Sequence, residues 1–319
     1  MSLLRFFVCG TVVAGLASAA ANDCDRVCLK NSLDQYLSAV IKHDPSAAPL
    51  FAGFRQTENA VVVRLGNGTW KTVTGLGKLQ RRYVDPASGQ AAYFGTVEEG
   101  SEPAIVTFRV RVESRRITEA EWFIARKGDP GLNGFSASGQ PAGNFFDPEN
   151  LATNPPPERT LPKEARSPRE LMIAATNTYF DGITTHDGSI IMAYPGCSRT
   201  ENGALVTGRA GRGGGGVSDC TSNLATINVQ MVAARRYPVV DEEAGVVLAL
   251  AVFMRKPGTT TRRNAFSEWF VIDGGKIRSI YSAMFYPTPE LPVPNWPPYD
   301  GNWPLPASLA LPTPSAGNR

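Results

Sequence analysis

Apolar side chains recur at helical spacing over Leu29, Leu33, Tyr36, Leu37, Val40 and Ile41, and again over Leu171, Met172, Ala175, Tyr179 and Ile183. Steps of three and four residues put each set on one face, so both stretches predict an amphipathic helix. "SPRE" at Ser167–Glu170 has the form of a capping box with proline at the first helical position. Further on the period drops to two. Ala104, Val106, Phe108, Val110 and Val112 fall on one side of an extended segment, with Thr107, Arg109 and Arg111 on the other, which is the alternation of a strand. Phe266–Ile272 and Ile277–Tyr286 predict a strand pair closed by the turn "DGGK", Asp273–Lys276. Each half of the chain thus predicts a long helix, a short helical turn and a curved, mostly antiparallel sheet, an α+β arrangement.

The halves also share a frame. Without gaps, Tyr36/Tyr179, His43/His186, Asp44/Asp187, Ser46/Ser189, Gly53/Gly196, Thr57/Thr200, Glu58/Glu201 and Asn59/Asn202 are identical. Average residue usage gives about one or two matches by chance in such a window. The chain's only two histidines take the same place in both copies. "RRY" recurs at Arg81–Tyr83 and Arg235–Tyr237, and "EWF" at Glu121–Phe123 and Glu268–Phe270; the second recurrence predicts equivalent places for Trp122 and Trp269. A repeat this long is a duplicated domain, not a solenoid unit. The expected organisation is a leader over 1–21, a first domain over 22–140, a proline-rich linker over 141–167, a second domain over 168–287 and a proline-rich tail over 288–319. Pairing of the two domains within the chain stays open.

Composition narrows the classes. Hydrophobic residues are 42% and charged residues 19%, enough apolar material for a sizeable core. The net charge of +3 is scattered, and the tightest basic groups are the pairs Arg115-Arg116 and Arg262-Arg263, which does not predict nucleic-acid binding. Met1–Arg5 followed by the apolar run Phe6–Ala17 and the small residues Ala17–Ala21 reads as a secretory leader, too short for a membrane span. Secretion, extracellular or periplasmic, is expected. Cys24, Cys28, Cys197 and Cys220 then form an even set that favours disulfides, Cys197 with Cys220 and Cys24 with Cys28 being the local solution. No zinc spacing, dinucleotide fingerprint or nucleophile elbow is present, so neither metal nor cofactor is expected.

A helix ending in Tyr36-x6-His43-Asp44, the short apolar segment "SAAPLFA" (Ser46–Ala52), a strand and the closing "EWF…DGGKIRSIYSAMFYP" resemble the nuclear-transport-factor-2-like fold. That is the cone-shaped α+β barrel of ketosteroid isomerase, scytalone dehydratase and the SnoaL-like cyclases. The resemblance covers about Cys24 to Tyr286 and implies two tandem cones. The paired halves also resemble a family of secreted fungal and bacterial proteins known mainly as a domain of unknown function.

In related lyases and dehydratases an acidic residue just after the first helix faces the mouth of the cone. Asp44 and Asp187 match that position, which implies a general base, with His43, His186, Glu58 and Glu201 as relay or acid. Structural roles stand beside these. A histidine suits a helix C-terminus, an aspartate before Pro45 or Gly188 starts a turn, and each glutamate can cap or pair with Arg55 or Arg199. The arginines are out of register, Arg55 matching Ser198 and Gln56 matching Arg199, so the two pockets are expected to differ. Tyr36, Trp122, Tyr179 and Trp269 are ligand-stacking candidates or core. The expected function is an exported, cofactor-independent lyase, dehydratase or isomerase acting on a small hydrophobic oxygenated molecule, aromatic or polycyclic. The alternative is a non-catalytic secreted ligand-binding or interaction protein.

Overall fold

The computed structural model describes residues 23–208, 217–258 and 262–287. The expected leader, the tail and most of the glycine-rich Gly208–Gly216 lie outside them. The first half runs α1 (Arg26–Ile41), β1 (Leu50–Glu58), β2 (Val61–Val62), α2 (Thr69–Thr72), β3 (Gly75–Asp85), β4 (Gln90–Glu99), β5 (Glu102–Glu113) and β6 (Arg116–Ala125). After α3 (Pro148–Thr153), the second half runs α4 (Arg169–Thr185), β7 (Ala193–Glu201), β8 (Ala204–Leu205), β9 (Met231–Asp241), β10 (Val246–Met254), β11 (Asn264–Asp273) and β12 (Lys276–Phe285).

Each half builds one six-stranded sheet in the same order, β2-β1-β6-β5-β4-β3 and β8-β7-β12-β11-β10-β9. The pairs β1/β6 and β7/β12 are parallel and the other neighbours antiparallel. The class is α+β. Both sheets are open at β3 and β9 among the described residues. Gly274 and Gly275 take the positive φ values, 51° and 74°, that a two-residue hairpin turn between β11 and β12 needs.

Two details differ from the sequence reading. The Ser167 hydroxyl does not cap α4; it accepts the Gly275 N–H at 2.9 Å, while Glu242 takes the Arg169 N–H at 2.9 Å. A helix terminus needs acceptors, and here a neighbouring loop supplies one. The "EWF" recurrence also pairs different strands. Trp122 lies on β6, but Trp269 lies on β11. The strand ladders instead match Trp122 with Ser282, each one beyond the partner of the repeated Thr57 or Thr200. A three-residue identity is weak where every strand alternates bulky and polar positions.

The layers run helix, sheet, sheet, helix. One face of the first sheet packs Val106, Phe108, Val110 and Trp122 on Leu33, Tyr36 and Val40 of α1. One face of the second packs Val247, Phe266, Phe270 and Ile280 on Met172, Tyr179, Phe180 and Ile183 of α4. The opposite faces meet each other through Leu79, Tyr83, Phe94 and Phe123 on one side and Val246, Leu248, Leu250 and Trp269 on the other. Trp269 donates its indole N–H across this seam to Thr107 Oγ1 at 2.8 Å. The linker is laid along the seam: Leu151 is fully buried in it, Arg81 donates to the Pro156 carbonyl and Arg159 to that of Ala244.

The seam is reciprocal. Arg26, at the start of α1, grips Asp241 at the end of β9 (2.7 Å), and Arg169, at the start of α4, grips Asp85 at the end of β3 (2.7 Å). Asp241 also accepts the Val84 N–H, and Asp85 the Val240 N–H. Residue i touching j while the equivalent of j touches that of i is the mark of two-fold pairing. Between the faces, Arg236 and Arg109 both hold the buried Glu121 at 2.7 Å, and Arg109 and Arg55 hold Glu119.

Candidate active site

Helix ends and turns position the repeated histidines and aspartates. His43 and His186 leave α1 and α4 in the left-handed region, with φ of 55° and 60°. Their Nδ1 atoms meet the carbonyls of Trp70 (2.6 Å) and Leu224 (3.0 Å). A carbonyl only accepts, so Nδ1 carries the proton, and each ring latches its helix to the segment that follows β2 or β8. Asp44 and Asp187 are exposed and open the next turn. Asp44 accepts from the Ser46 hydroxyl (2.6 Å) and N–H (3.0 Å), and Asp187 from the Ser189 N–H (2.8 Å). These serine hydrogen bonds hold both carboxyls below their ordinary value, whereas a general base works best with its value near the operating pH.

Glu58 has other partners. It accepts the Thr69 N–H at the start of α2 and pairs with Arg126. Aspartate, histidine and glutamate of one copy are therefore each bonded to something else, and no hydrogen bond joins them among the described residues. Arg55 is engaged in the seam network.

The interior of the second half is where charge gathers. Along β11, Phe266, Glu268, Phe270 and Ile272 point toward α4, and Glu268 is completely buried in that apolar series. Arg199 reaches it from β7, donating Nη2–H to Glu268 Oε1 at 2.8 Å and pairing Nη1 with Glu201 Oε1 at 2.7 Å. Its guanidinium carbon lies 5.8 Å from the centroid of the Tyr179 ring on α4. Arg199, Glu201 and Tyr179 of the sequence candidates thus come together around Glu268, the glutamate of the second "EWF".

Among the described residues two buried atoms here have no hydrogen-bond partner, Arg199 Nε and Glu268 Oε2. The Nε and Nη2 hydrogens of a guanidinium project along one edge, the edge that grips a carboxylate two-fold when both arms close. Only the Nη2 arm closes on Glu268, so one donor of that edge and one carboxyl oxygen stay unpaired. Burial pushes the Glu268 carboxyl up to about 7; Arg199 pulls it back and Glu201 adds to the rise. Burial opposes the charge on Arg199, but Glu201, Tyr179 and Glu268 outweigh it and keep the guanidinium protonated.

The same positions of the first half hold no charge. The strand ladders match Phe108 with Glu268 and Trp122 with Ser282, and the repeat matches Gln56 with Arg199. Trp122 and Phe108 stack with centroids 4.2 Å apart, Phe108 and Tyr36 at 4.8 Å. Gln56 Oε1 accepts from the Tyr36 hydroxyl (2.9 Å) and the Trp70 indole (2.8 Å). Aromatic rings fill the space that Arg199 and Glu268 occupy in the second half. Tyr36 and Trp122 are core here, and Trp269 is a seam residue.

Disulfides join Cys24 to Cys28 and Cys197 to Cys220. Among the described residues no helix is long and apolar enough to cross a membrane, and no cluster of three potential metal ligands occurs. No curated protein matches the chain. A family profile described as a domain of unknown function, DUF8021, matches residues 165–284, the half that carries Glu268 and Arg199.

Proposed function

We propose that this chain is an exported protein whose second half does acid–base chemistry on a small oxygenated molecule, without a cofactor, as a lyase, dehydratase or isomerase. Each half is a cone of the nuclear-transport-factor-2-like kind, and the first serves as a filled, inert partner to the second. The carrying observation is Glu268, a fully buried carboxyl with a free oxygen beside a guanidinium with a free N–H. Glu268 takes or returns the proton. Arg199 donates to the substrate oxygen on which charge develops, and Glu201 keeps Arg199 charged and in place. A carboxyl near 7 is half-ionised at neutral pH, so it can act in both directions. The apolar residues around it suit a hydrophobic substrate body. Two disulfides and the N-terminal apolar stretch support export.

The test starts from metabolites that accumulate in a deletion strain, each incubated with purified protein. The wild type should consume one, and Glu268→Gln, which keeps shape and loses the base, should be slower by about 10²-fold or more. Conversion by the variant at the parental rate would exclude Glu268. A compound that binds both proteins and is never converted would replace the enzyme with a secreted binding module.

A further inference from the structure

The ends of the two halves next to these interiors differ in charge at matching positions. In the first half, Arg126 follows β6 and ties Glu58 at the end of β1 to Glu99 at the end of β4, with contacts of 3.2 and 2.6 Å. In the second half the ladders put Tyr286 in the place of Arg126 and Arg255 in the place of Glu99. Glu201, the match of Glu58, turns inward to Arg199. Among the described residues the bridge that ties the end of the first half has no counterpart in the second.

Arg255 is half-buried there. Its Nε donates to the Arg262 carbonyl (2.9 Å), Nη1 to the Asn228 carbonyl (3.3 Å) and Nη2 to Asn264 Oδ1 (2.7 Å). All three acceptors are neutral, and among the described residues no carboxylate pairs with it. Three bonds fix the group, while two of its five N–H donors stay available. Burial lowers its affinity for its proton, with Tyr286 and Glu201 near enough to resist. A cation held in place by dipoles and left without a counter-ion is costly to the fold, and it is pre-organised for an anion.

We infer that Arg255 is the anchor for a carboxylate on the molecule that the second half binds, so that the substrate class is a small carboxylic acid with its reacting carbon turned toward Glu268. This rests on the reading of Glu268 and Arg199 given above. A planar monoanion fits a single guanidinium fork. A dianion such as phosphate would bring a second negative charge toward Glu201 and Glu268. Arg255 is then a specificity residue, and neutral isosteres of the substrate lose its contact.

The experiment is an NMR titration of the arginine Nε–H signals in the purified, disulfide-bonded protein. The Arg255 signal is assigned by its loss in Arg255→Gln. Benzoate should move it saturably, whereas benzamide, phosphate and chloride at matched ionic strength should not. Arg255→Gln should weaken benzoate binding by about tenfold or more. No response to benzoate, or an equal response to benzamide or chloride, overturns the inference; a response to phosphate alone overturns the carboxylate class. Should Arg255→Gln fail to fold, the rise in wild-type Tm with benzoate over benzamide decides the same question. Glu268→Gln keeps the benzoate response if Arg255 is the anchor. Failure of the conversion assay therefore removes the chemistry and leaves the anion site, and failure of the titration does the reverse.

Discussion

Glu268 carries an acid into a strand face made otherwise of Phe266, Phe270 and Ile272. Its carboxyl is pushed from an ordinary 4.5 up to about 7, chiefly by burial. Between those two values the unfolded chain has released this proton and the folded chain has kept it. Stability from this group is therefore full below pH 4.5 and is lost as pH rises toward 7, a change on the order of 3 kcal/mol. Glu268→Gln removes the titration, so urea unfolding from pH 4.5 to 7 should show the variant gaining on the wild type by a few kcal/mol. A flat difference across that range would deny the buried, protonatable state. Asp44 and Asp187 are a contrast at the same scale. Their serine bonds belong to turns, so Asp44→Ala and Asp187→Ala should lower Tm modestly and leave conversion at the parental rate; a large fall in rate with an unchanged Tm would assign them to the chemistry.

Among the elements, the strand that delivers Arg199 is pinned two residues earlier by Cys197, whose bond to Cys220 closes a separation of 23 residues. The chain-entropy model gives such a loop about 3 kcal/mol. The double variant Cys197→Ser/Cys220→Ser should lose about that much in denaturant unfolding, and no loss would show that the bridge is dispensable. The elements were largely legible in the sequence. Helical spacing marked α1 and α4, and alternation marked β5, β11 and β12, because burial on one face imposes those periods. The "RRY" repeat fell on matching strands, β3 and β9, and "EWF" did not. The interior site was half legible: the offset between Arg55 and Arg199 announced that the pockets differ. An acid between Phe266 and Phe270 was visible as a break in the alternation, but the faces were not yet known. Which face looked at a helix and which at the other half depends on Trp269 meeting Thr107 and Arg236 meeting Glu121, contacts between distant parts of the chain that no local pattern encodes.

The molecule as a whole is a two-fold pair made within one chain, with one member filled by aromatic rings and the other holding charge. Asp241 is buried and accepts from Arg26, Val84 N–H and Ala244 N–H. Asp241→Ala strands those donors and should cost about 3 kcal/mol, and Asp85→Ala about as much, because the seam is reciprocal. Fluorescence and circular dichroism in urea should report one cooperative transition for the wild type, since the seam faces of the two sheets cover each other; two separate transitions would show that the halves stand alone. The proposed chemistry lies in one member of this pair, on Glu268. Its most direct test is the metabolite profile of a deletion strain complemented with two variants. Glu268→Gln should reproduce the deletion profile, and the double variant Asp44→Asn/Asp187→Asn the wild-type profile. The reverse outcome, wild-type behaviour from Glu268→Gln and loss from the aspartate pair, would contradict the account and move the chemistry to the turns after α1 and α4.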